Sequence, residues 1–227
     1  MTPSRLDFTI RTKEDLIHAV QRLGFLPLFA NSLPGFSIEE HVSPRVWFTD
    51  EPGVWEWKGP VIQESGCAYG KFFERKAVFV SEAWFPDLAN YRRDGYDFDA
   101  RYEDGLAAYR DKTLFDLLEA NAPILSTDLK KLGHYGKGGN KGFDSILIRL
   151  QEQCYVTVSD FVYRRDKNGV PYGWGVAEYS TPEVYLGEPF RREVYRRTPE
   201  ESYQRLLTHF KRLLPDVEEQ AIRKFLR

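Results

Sequence analysis

The chain has 227 residues, of which 42% are hydrophobic and 29% are charged, and its formal net charge is −2 at pH 7. This composition is close to the globular average and excludes the compositions typical of disordered, fibrous and membrane-embedded chains. The near-neutral charge also excludes a basic field over the whole surface, so any contact with nucleic acid must come from local patches.

The start of the chain and its cysteines indicate the compartment. The opening segment, MTPSRLDFTIRTKEDL, has no continuous apolar run, and no stretch approaches the ~20 apolar residues that span a bilayer. Cys67 and Cys154 lie in different predicted strands without CxxC spacing, which favours reduced, buried thiols over a disulfide. We therefore expect a cytoplasmic protein that makes no membrane contact.

The first predicted element is a helix over residues 13–23. Thr12 and Asp15 have the spacing of a capping box, and apolar residues follow at helical spacing up to Gly24, a common C-terminal stop. The next segment, FLPLFANSLPGFS, carries two prolines and predicts a buried connection to a short segment over residues 38–42.

Residues 44–81 contain five short runs with strand character, separated by proline and glycine: RVWFT, VWEWK, PVIQE, GCAYGKFF and KAVFVS. Trp55 and Trp57 are two positions apart, which places both indoles on the same face of a strand. We therefore predict a small antiparallel sheet with one buried aromatic face. The following segments predict a short helix interrupted by Pro86 and then a polar turn, DGYDFDARYEDG.

Three helices are predicted between residues 112 and 152. The first ends near Asn121, and the second is capped by Ser126 or Thr127, turns Leu129 and Leu132 inward and ends at Gly133. The third follows the loop GKGGNK, and its apolar residues have the spacing i, i+3, i+4 and i+7. These four residues are Phe143, Ile146, Leu147 and Leu150.

A hairpin is predicted directly after the third helix. The segments YVTVSDFVYRR and VPYGWGVAEYS flank the turn DKNG, and its Asn168-Gly169 pair is a strong hairpin signal. Three helices followed by a hairpin is the winged helix-turn-helix order, with the third helix in the recognition position. The predicted fold class is therefore α+β, with this module packed against a small antiparallel β-rich part and flanking helices.

Three regions follow from this assignment, and we expect them to pack as one compact unit. They are an N-terminal helix plus β-rich part (1–105), the winged module (106–185) and a C-terminal helical extension (186–227). In the extension, Thr198 and Glu201 form a capping box around Pro199, and Asp216 and Glu219 are predicted to cap a last short helix.

The candidate DNA contacts are cations of the winged module. The loop over residues 136–142 precedes a helix N-terminus, where free backbone N–H groups favour a phosphate, and the hairpin tip carries further cations. The predicted DNA-binding residues are Lys130, Lys131, Lys137, Lys141, Arg149, Arg164, Arg165 and Lys167. The alternative interpretation is that the loop is a flexible connection and that these cations are ordinary solvated surface residues, with no role in DNA binding.

Charge argues against sequence-specific recognition. Residues 112–180 hold nine Lys or Arg against eight Asp or Glu, a net of +1, and the exposed face of the third helix carries Asp144 and Glu152. Specific DNA modules are usually much more basic. A winged helix can also serve as a protein-docking platform, and the fold alone does not decide between these roles.

No catalytic or metal-binding motif is present in the sequence. The acidic residues of one loop do not match a calcium-binding loop, and capping plus salt bridges to Arg92, Arg93 and Arg101 is the favoured role. The acidic residues of this loop are Asp94, Asp97, Asp99, Glu103 and Asp104. The histidines are scattered, no GxSxG elbow exists, and we expect neither a metal nor a cofactor.

Three stretches, RLGFLPLF, YGKFFERKAVFVSEAWFP and the winged segment, resemble the AlkZ-like family of winged-helix DNA glycosylases. The resemblance implies tandem winged helices, base excision from alkylated DNA and a Gln-hydrophobic-Gln or Gln-hydrophobic-Asp motif after an RLG helix end. Alignment on Arg22-Leu23-Gly24 puts Pro27 and Phe29 at those polar positions, and neither side chain can move a proton.

The leading hypothesis is therefore a DNA-binding relative of these glycosylases, for duplex or damaged DNA, that lacks the usual catalytic pair. One alternative is a glycosylase with a rearranged acid/base pair drawn from residues such as Asn31, Glu39, Glu40 and His41. The other is a protein-interaction module with no DNA role.

Overall fold

The computed structural model describes residues 8–43, 47, 52–169 and 171–227. The N-terminal elements are α1 (Lys13–Leu23), β1 (Phe25–Pro27), α2 (Ile38–His41), α3 (Val54–Ser65), β2 (Ala68–Phe73), β3 (Lys76–Val80), α4 (Phe85–Arg93) and α5 (Phe98–Glu103). The central elements are α6 (Tyr109–Glu119), β4 (Ile124–Leu125), α7 (Ser126–Leu132), α8 (Phe143–Glu152), β5 (Thr157–Arg165) and β6 (Pro171–Ser180). The C-terminal helices are α9 (Pro182–Tyr185), α10 (Gly187–Glu193), α11 (Pro199–Leu213) and α12 (Glu219–Phe225).

Within the described residues, the strands form one six-stranded antiparallel sheet in the order β1-β3-β2-β5-β6-β4. The N-terminal strands and the hairpin meet where Tyr69 of β2 lies opposite Val158 of β5. At the far edge, β4 pairs with β6, with Ile124 opposite Tyr179. The α+β class is confirmed, and a single sheet links the N-terminal strands to the hairpin.

Buried apolar side chains form two clusters. The larger cluster joins α1, the first three strands, α3, α4 and the last two helices. The smaller cluster joins α5 to α8 and the two residues just before β5. Its buried members are Phe98, Leu114, Phe115, Leu118, Ile124, Leu129, Phe143, Ile146, Leu147, Leu150, Tyr155 and Val156. Tyr179 packs against both clusters, so β6 contributes to each core.

Several predicted helices begin or end at the residues that the sequence indicated. Thr12 caps α1 through the predicted box with Asp15, and the helix ends at Gly24, whose φ is 79°. The box formed by Thr198 and Glu201 opens α11, with Pro199 at its start. The connection after α1 also holds the buried strand β1, which the two prolines had concealed in the sequence.

The segment predicted as the strands VWEWK and PVIQE is instead the single helix α3, so that prediction is wrong. Its buried positions Val54, Lys58, Val61 and Ile62 follow helical spacing, and Pro60 lies inside the helix. Residues two apart on a helix are about 200° apart, so Trp55 and Trp57 do not share a face. Most of the predicted strand RVWFT lies outside the described residues.

Two further N-terminal predictions are wrong. Pro86 lies at the start of α4, where a missing N–H costs nothing, and does not interrupt the helix. The predicted polar turn contains α5, because Asp97 accepts a hydrogen bond from the N–H of Ala100 and caps that helix.

The central helices follow the predicted order with corrected ends. α6 begins at Tyr109, three residues before the predicted start, and the cap position of α7 is Leu125 instead of Ser126 or Thr127. Leu132 is 45% exposed and does not face inward, whereas the predicted apolar stripe of α8 is buried.

The C-terminal region differs from the prediction in two places. The cap position of α12 is Glu218 and not Asp216, and no side chain caps this helix. The short helices α9 and α10 were not predicted. Thr181 caps α9, a signal that the sequence carried next to Pro182.

Both cysteine thiols are buried and free, as predicted. Cys67 lies just before β2, and Cys154 lies in the turn after α8 with a φ of 60°, so neither is within a strand. Burial raises the pKa of each thiol to about 12. Neither thiol is therefore activated as a nucleophile near neutral pH.

Lys58 is a buried cation between α3 and β5. Its side chain is 4% exposed, and its Nζ lies 3.2 Å from the ring centroid of Trp55 and 4.4 Å from that of Phe161. Burial lowers the pKa of Lys58 to about 8, and the negative charge of Glu56 opposes that change. The cation–π contacts also favour the charged form and join the helix to the hairpin.

We expect Lys58→Met to change how the free energy of unfolding depends on pH. Because the folded pKa is below the ordinary value, the unfolded chain binds more protons between pH 8 and pH 10.5, and the stability of the wild type rises across that window. Relative to Lys58→Met, the wild type should gain about 1–3 kcal/mol from pH 7 to pH 10.5. Urea unfolding of both proteins at each pH measures this, and parallel pH profiles would contradict it.

Candidate nucleic-acid interface

The loop between α7 and α8 is closed by Asn140. Its backbone N–H donates to the carbonyl oxygen of His134 at 2.8 Å, and its Nδ2 donates to that of Gly133 at 2.8 Å. Gly138 and Gly142 have φ values of 83° and 89°, which side chains disfavour. The loop therefore has a defined path that leads directly into the start of α8.

The N-terminus of α8 has no side-chain cap. Gly142 occupies the cap position, and the hydroxyl of Ser145 donates to the carbonyl of Gly142 instead of accepting from a backbone N–H. Uncapped N–H groups and the helix dipole favour an anion at this end. Asp144 in the first turn opposes an anion, although Lys130 lies 3.3 Å from its carboxylate.

Three of the eight predicted cations are paired with carboxylates. Lys130 pairs with Asp144, and Lys131 lies 3.0 Å from Asp128. Arg149 donates to Asp111 from Nε at 3.0 Å and from Nη2 at 2.5 Å. The bidentate pair ties α8 to α6 and uses the planar edge of the guanidinium that a phosphate would need.

The other cations are at the loop and the hairpin tip. Arg165 donates from Nη1 to the carbonyl of Gly169 at 2.8 Å and so braces the turn. Within the described part of the chain, the remaining four form no ion pair. These four are Lys137, Lys141, Arg164 and Lys167, all exposed, and we refer to them as the unpaired cations.

Arg149 contributes to a different surface from the loop and the hairpin tip. It lines a groove of about 490 Å³ together with Arg92 and Arg101, and Glu152 lies in the same groove. This groove is formed by α4, α5 and α8. The structure therefore separates Arg149 from the other predicted contacts.

One residue of the acidic loop caps a helix, and another forms an ion pair. Asp97 caps α5, and Asp99 lies 3.0 Å from Lys112 instead of pairing with one of the predicted arginines. Within the described residues, no group of three or more His, Cys, Asp or Glu side chains could hold a metal ion.

The polar residues near the RLG helix end form hydrogen bonds within their own loop. Glu39 accepts from the N–H of Ala30, and Glu40 accepts from the N–H of Gly35 and the hydroxyl of Ser37. The side chains of Asn31 and His41 likewise bond to backbone groups.

The two aligned motif positions are apolar and packed. Pro27 is buried in β1 opposite Val78, and the ring of Phe29 stacks on Trp47 at a centroid distance of 5.9 Å.

Trp174 was not predicted as a site residue, yet it is 67% exposed on β6. Its ring meets that of Trp55 edge to face at a centroid distance of 5.6 Å. The glycines on both sides, Gly173 and Gly175, are the only sequence signal that sets this tryptophan apart. An exposed indole on a strand of the hairpin can stack against a nucleic-acid base.

A family model described as AlkZ related matches residues 10–227. The chain has no significant match among curated proteins and none among solved structures. In the described part of the chain, no helix is both long and apolar enough to cross a bilayer.

Proposed function

This chain belongs to the AlkZ-related family, and we propose that it binds duplex DNA as a winged-helix protein. The connectivity over residues 106–185 supports a winged helix, because α6, β4, α7, α8 and the β5-β6 hairpin follow in that order. The pairing of β4 with β6 adds the third strand of a small sheet against the three helices. In this assignment α8 takes the recognition position and the hairpin is the wing.

The observation that carries this proposal is the position of the unpaired cations. Lys137 and Lys141 lie in the loop that leads into the uncapped start of α8, and Arg164 and Lys167 lie at the hairpin tip. Both sites are places from which winged-helix proteins reach phosphates. Cations without carboxylate partners can bind phosphate without first breaking an ion pair.

We propose contacts to the DNA backbone with little recognition of bases. On the exposed face of α8, Asp144 carries negative charge and Arg149 is held by Asp111. Lys130 and Lys131 would have to exchange a carboxylate for a phosphate, so they contribute less than the unpaired cations. The net of +1 over residues 112–180 also favours weak, salt-sensitive binding.

We further propose that this branch does not excise bases by the usual family motif. The aligned positions hold Pro27 and Phe29, and the nearby acidic side chains are engaged by backbone N–H groups. A glycosylase with a rearranged acid/base pair is the first alternative, and a protein-interaction module is the second.

Fluorescence anisotropy of labelled duplexes, undamaged and alkylated, at two salt concentrations tests the proposal. We expect binding that weakens steeply as salt rises, because each phosphate contact releases counterions. No binding at low salt would contradict DNA binding and favour the interaction module. Release of an alkylated base in the same samples would contradict the non-catalytic assignment.

A further inference from the structure

A second groove lies outside the proposed DNA interface, between α11 and the start of α4. It has a volume of about 490 Å³ and is lined by Trp84, Gln204, Arg205, Thr208, His209 and Arg212. All except Trp84 lie on one face of α11 at helical spacing. The volume is within the range of small-ligand sites.

The lining of this groove has two cations and no carboxylate. The Nε of Arg205 donates to Asp87 at 3.0 Å, which leaves both of its Nη groups without a hydrogen-bond partner among the described residues. Arg212 forms no ion pair there. In a chain of net charge −2, this local excess of guanidinium groups favours an anion.

One Nη group of Arg212 is held by His209. An arginine can only donate, so its Nη2, 3.1 Å from Nδ1 of His209, requires that nitrogen to be the acceptor. The other ring nitrogen, Nε2, then carries the proton and donates to the carbonyl of Leu23 at 2.8 Å. Burial, with a smaller effect of the Arg212 charge, lowers the pKa of His209 and keeps this neutral form.

An aromatic surface completes the groove. The indole of Trp84 stacks on the imidazole of His209 at a centroid distance of 4.0 Å, and the guanidinium of Arg205 lies 5.5 Å from the Trp84 ring. Planar rings and guanidinium groups together provide stacking and charge for a nucleobase with its phosphate.

We propose that this groove binds a nucleotide, with its phosphate on Arg212 and the free Nη groups of Arg205 and its base against Trp84. Binding here does not depend on the proposed DNA interface, because the groove shares no residue with the unpaired cations. The preordered Arg212 lowers the entropy cost of holding the phosphate.

Isothermal titration calorimetry with dAMP, deoxyadenosine and inorganic phosphate tests this proposal. We expect saturable binding of dAMP that is tighter than that of either fragment. Arg212→Gln should weaken dAMP binding roughly 10- to 100-fold, the loss expected for a charge-assisted phosphate contact. Trp84→Phe should weaken dAMP and deoxyadenosine while leaving phosphate unchanged.

The matched control is Arg192→Gln, which removes the same charge from an exposed arginine of α10 that pairs with Glu188. Its dAMP affinity should equal that of the wild type, and thermal unfolding should show that the Arg212 variant remains folded. Absence of dAMP binding, or equal affinity in the Arg212 and Arg192 variants, would overturn the proposal. Phosphate binding as tightly as dAMP would overturn the nucleotide assignment.

Discussion

Replacement of Arg93 with alanine should lower the free energy of unfolding by about 3 kcal/mol. The side chain is 1% exposed, and its guanidinium donates to Glu183, to the hydroxyl of Tyr195 and to the carbonyl of Cys154. It also lies 4.6 Å from the ring of Tyr155, a member of the smaller core cluster. Arg93 therefore joins α4 to the turn after α8 and to α9.

The expected loss comes mainly from a cavity and an unpaired carbonyl. Glu183 is 34% exposed and can regain water when Arg93 is removed, whereas the carbonyl of Cys154 is left without its buried donor. Urea unfolding monitored by circular dichroism measures the change. Arg196→Ala is the control, because that pair with Glu193 is exposed and should contribute less than about 1 kcal/mol. Equal losses in the two variants would contradict the assigned role of Arg93.

Removal of the unpaired cations together should weaken duplex binding by roughly three orders of magnitude at moderate salt. The variant replaces Lys137, Lys141, Arg164 and Lys167 with glutamine. All four side chains are exposed and without ion pairs in the described part of the chain, so we expect little change in stability. Anisotropy titrations with an undamaged duplex measure the affinity.

A matched control separates position from net charge. Lys71, Arg75, Arg192 and Lys224 are exposed and lie outside residues 106–185, and their replacement with glutamine changes the net charge equally. This control should retain most of the wild-type affinity. A loss as large as that of the unpaired-cation variant would mean that overall charge, and not the loop and hairpin tip, determines binding.

Local signals made much of the fold predictable. The capping boxes at Thr12 and Thr198, and the stripe from Phe143 to Leu150, depend on neighbours within one or two turns. The pair Asn168-Gly169 likewise marks the hairpin turn, in which the N–H of Gly169 donates to the carbonyl of Asp166. Such signals do not depend on distant parts of the chain, so the sequence alone is enough to find these elements.

The helix α3 could not be found in this way. Two tryptophans and two valines favour strands by local preference, and Pro60 disfavours a helix interior. Burial of Val54, Lys58 and Ile62 against the sheet nevertheless selects a helix. Contacts with distant residues therefore override the local preference. The partner of Lys58, Phe161, is about a hundred residues away along the chain and could not be inferred from spacing.

The sequence predicted which cations belong to the candidate interface, but not which of them are free of carboxylate partners and so able to bind phosphate. The sequence identifies eight cations around the module, but it does not show that Asp111 holds Arg149 or that Asp144 lies beside Lys130. Those pairs form between different helices and depend on how α6, α7 and α8 pack. The structure thereby reduces the predicted set to the unpaired cations on which the proposed function depends.

The most direct measurement of that function is the salt dependence of duplex affinity for the wild type and for the unpaired-cation variant. Each phosphate contact contributes about 0.9 to the slope of log affinity against log salt, so the variant should lose a slope of about 3.6. A slope that is smaller by this amount in the variant than in the wild type would support DNA backbone binding by the loop and the hairpin tip. Equal slopes in the two proteins would contradict it.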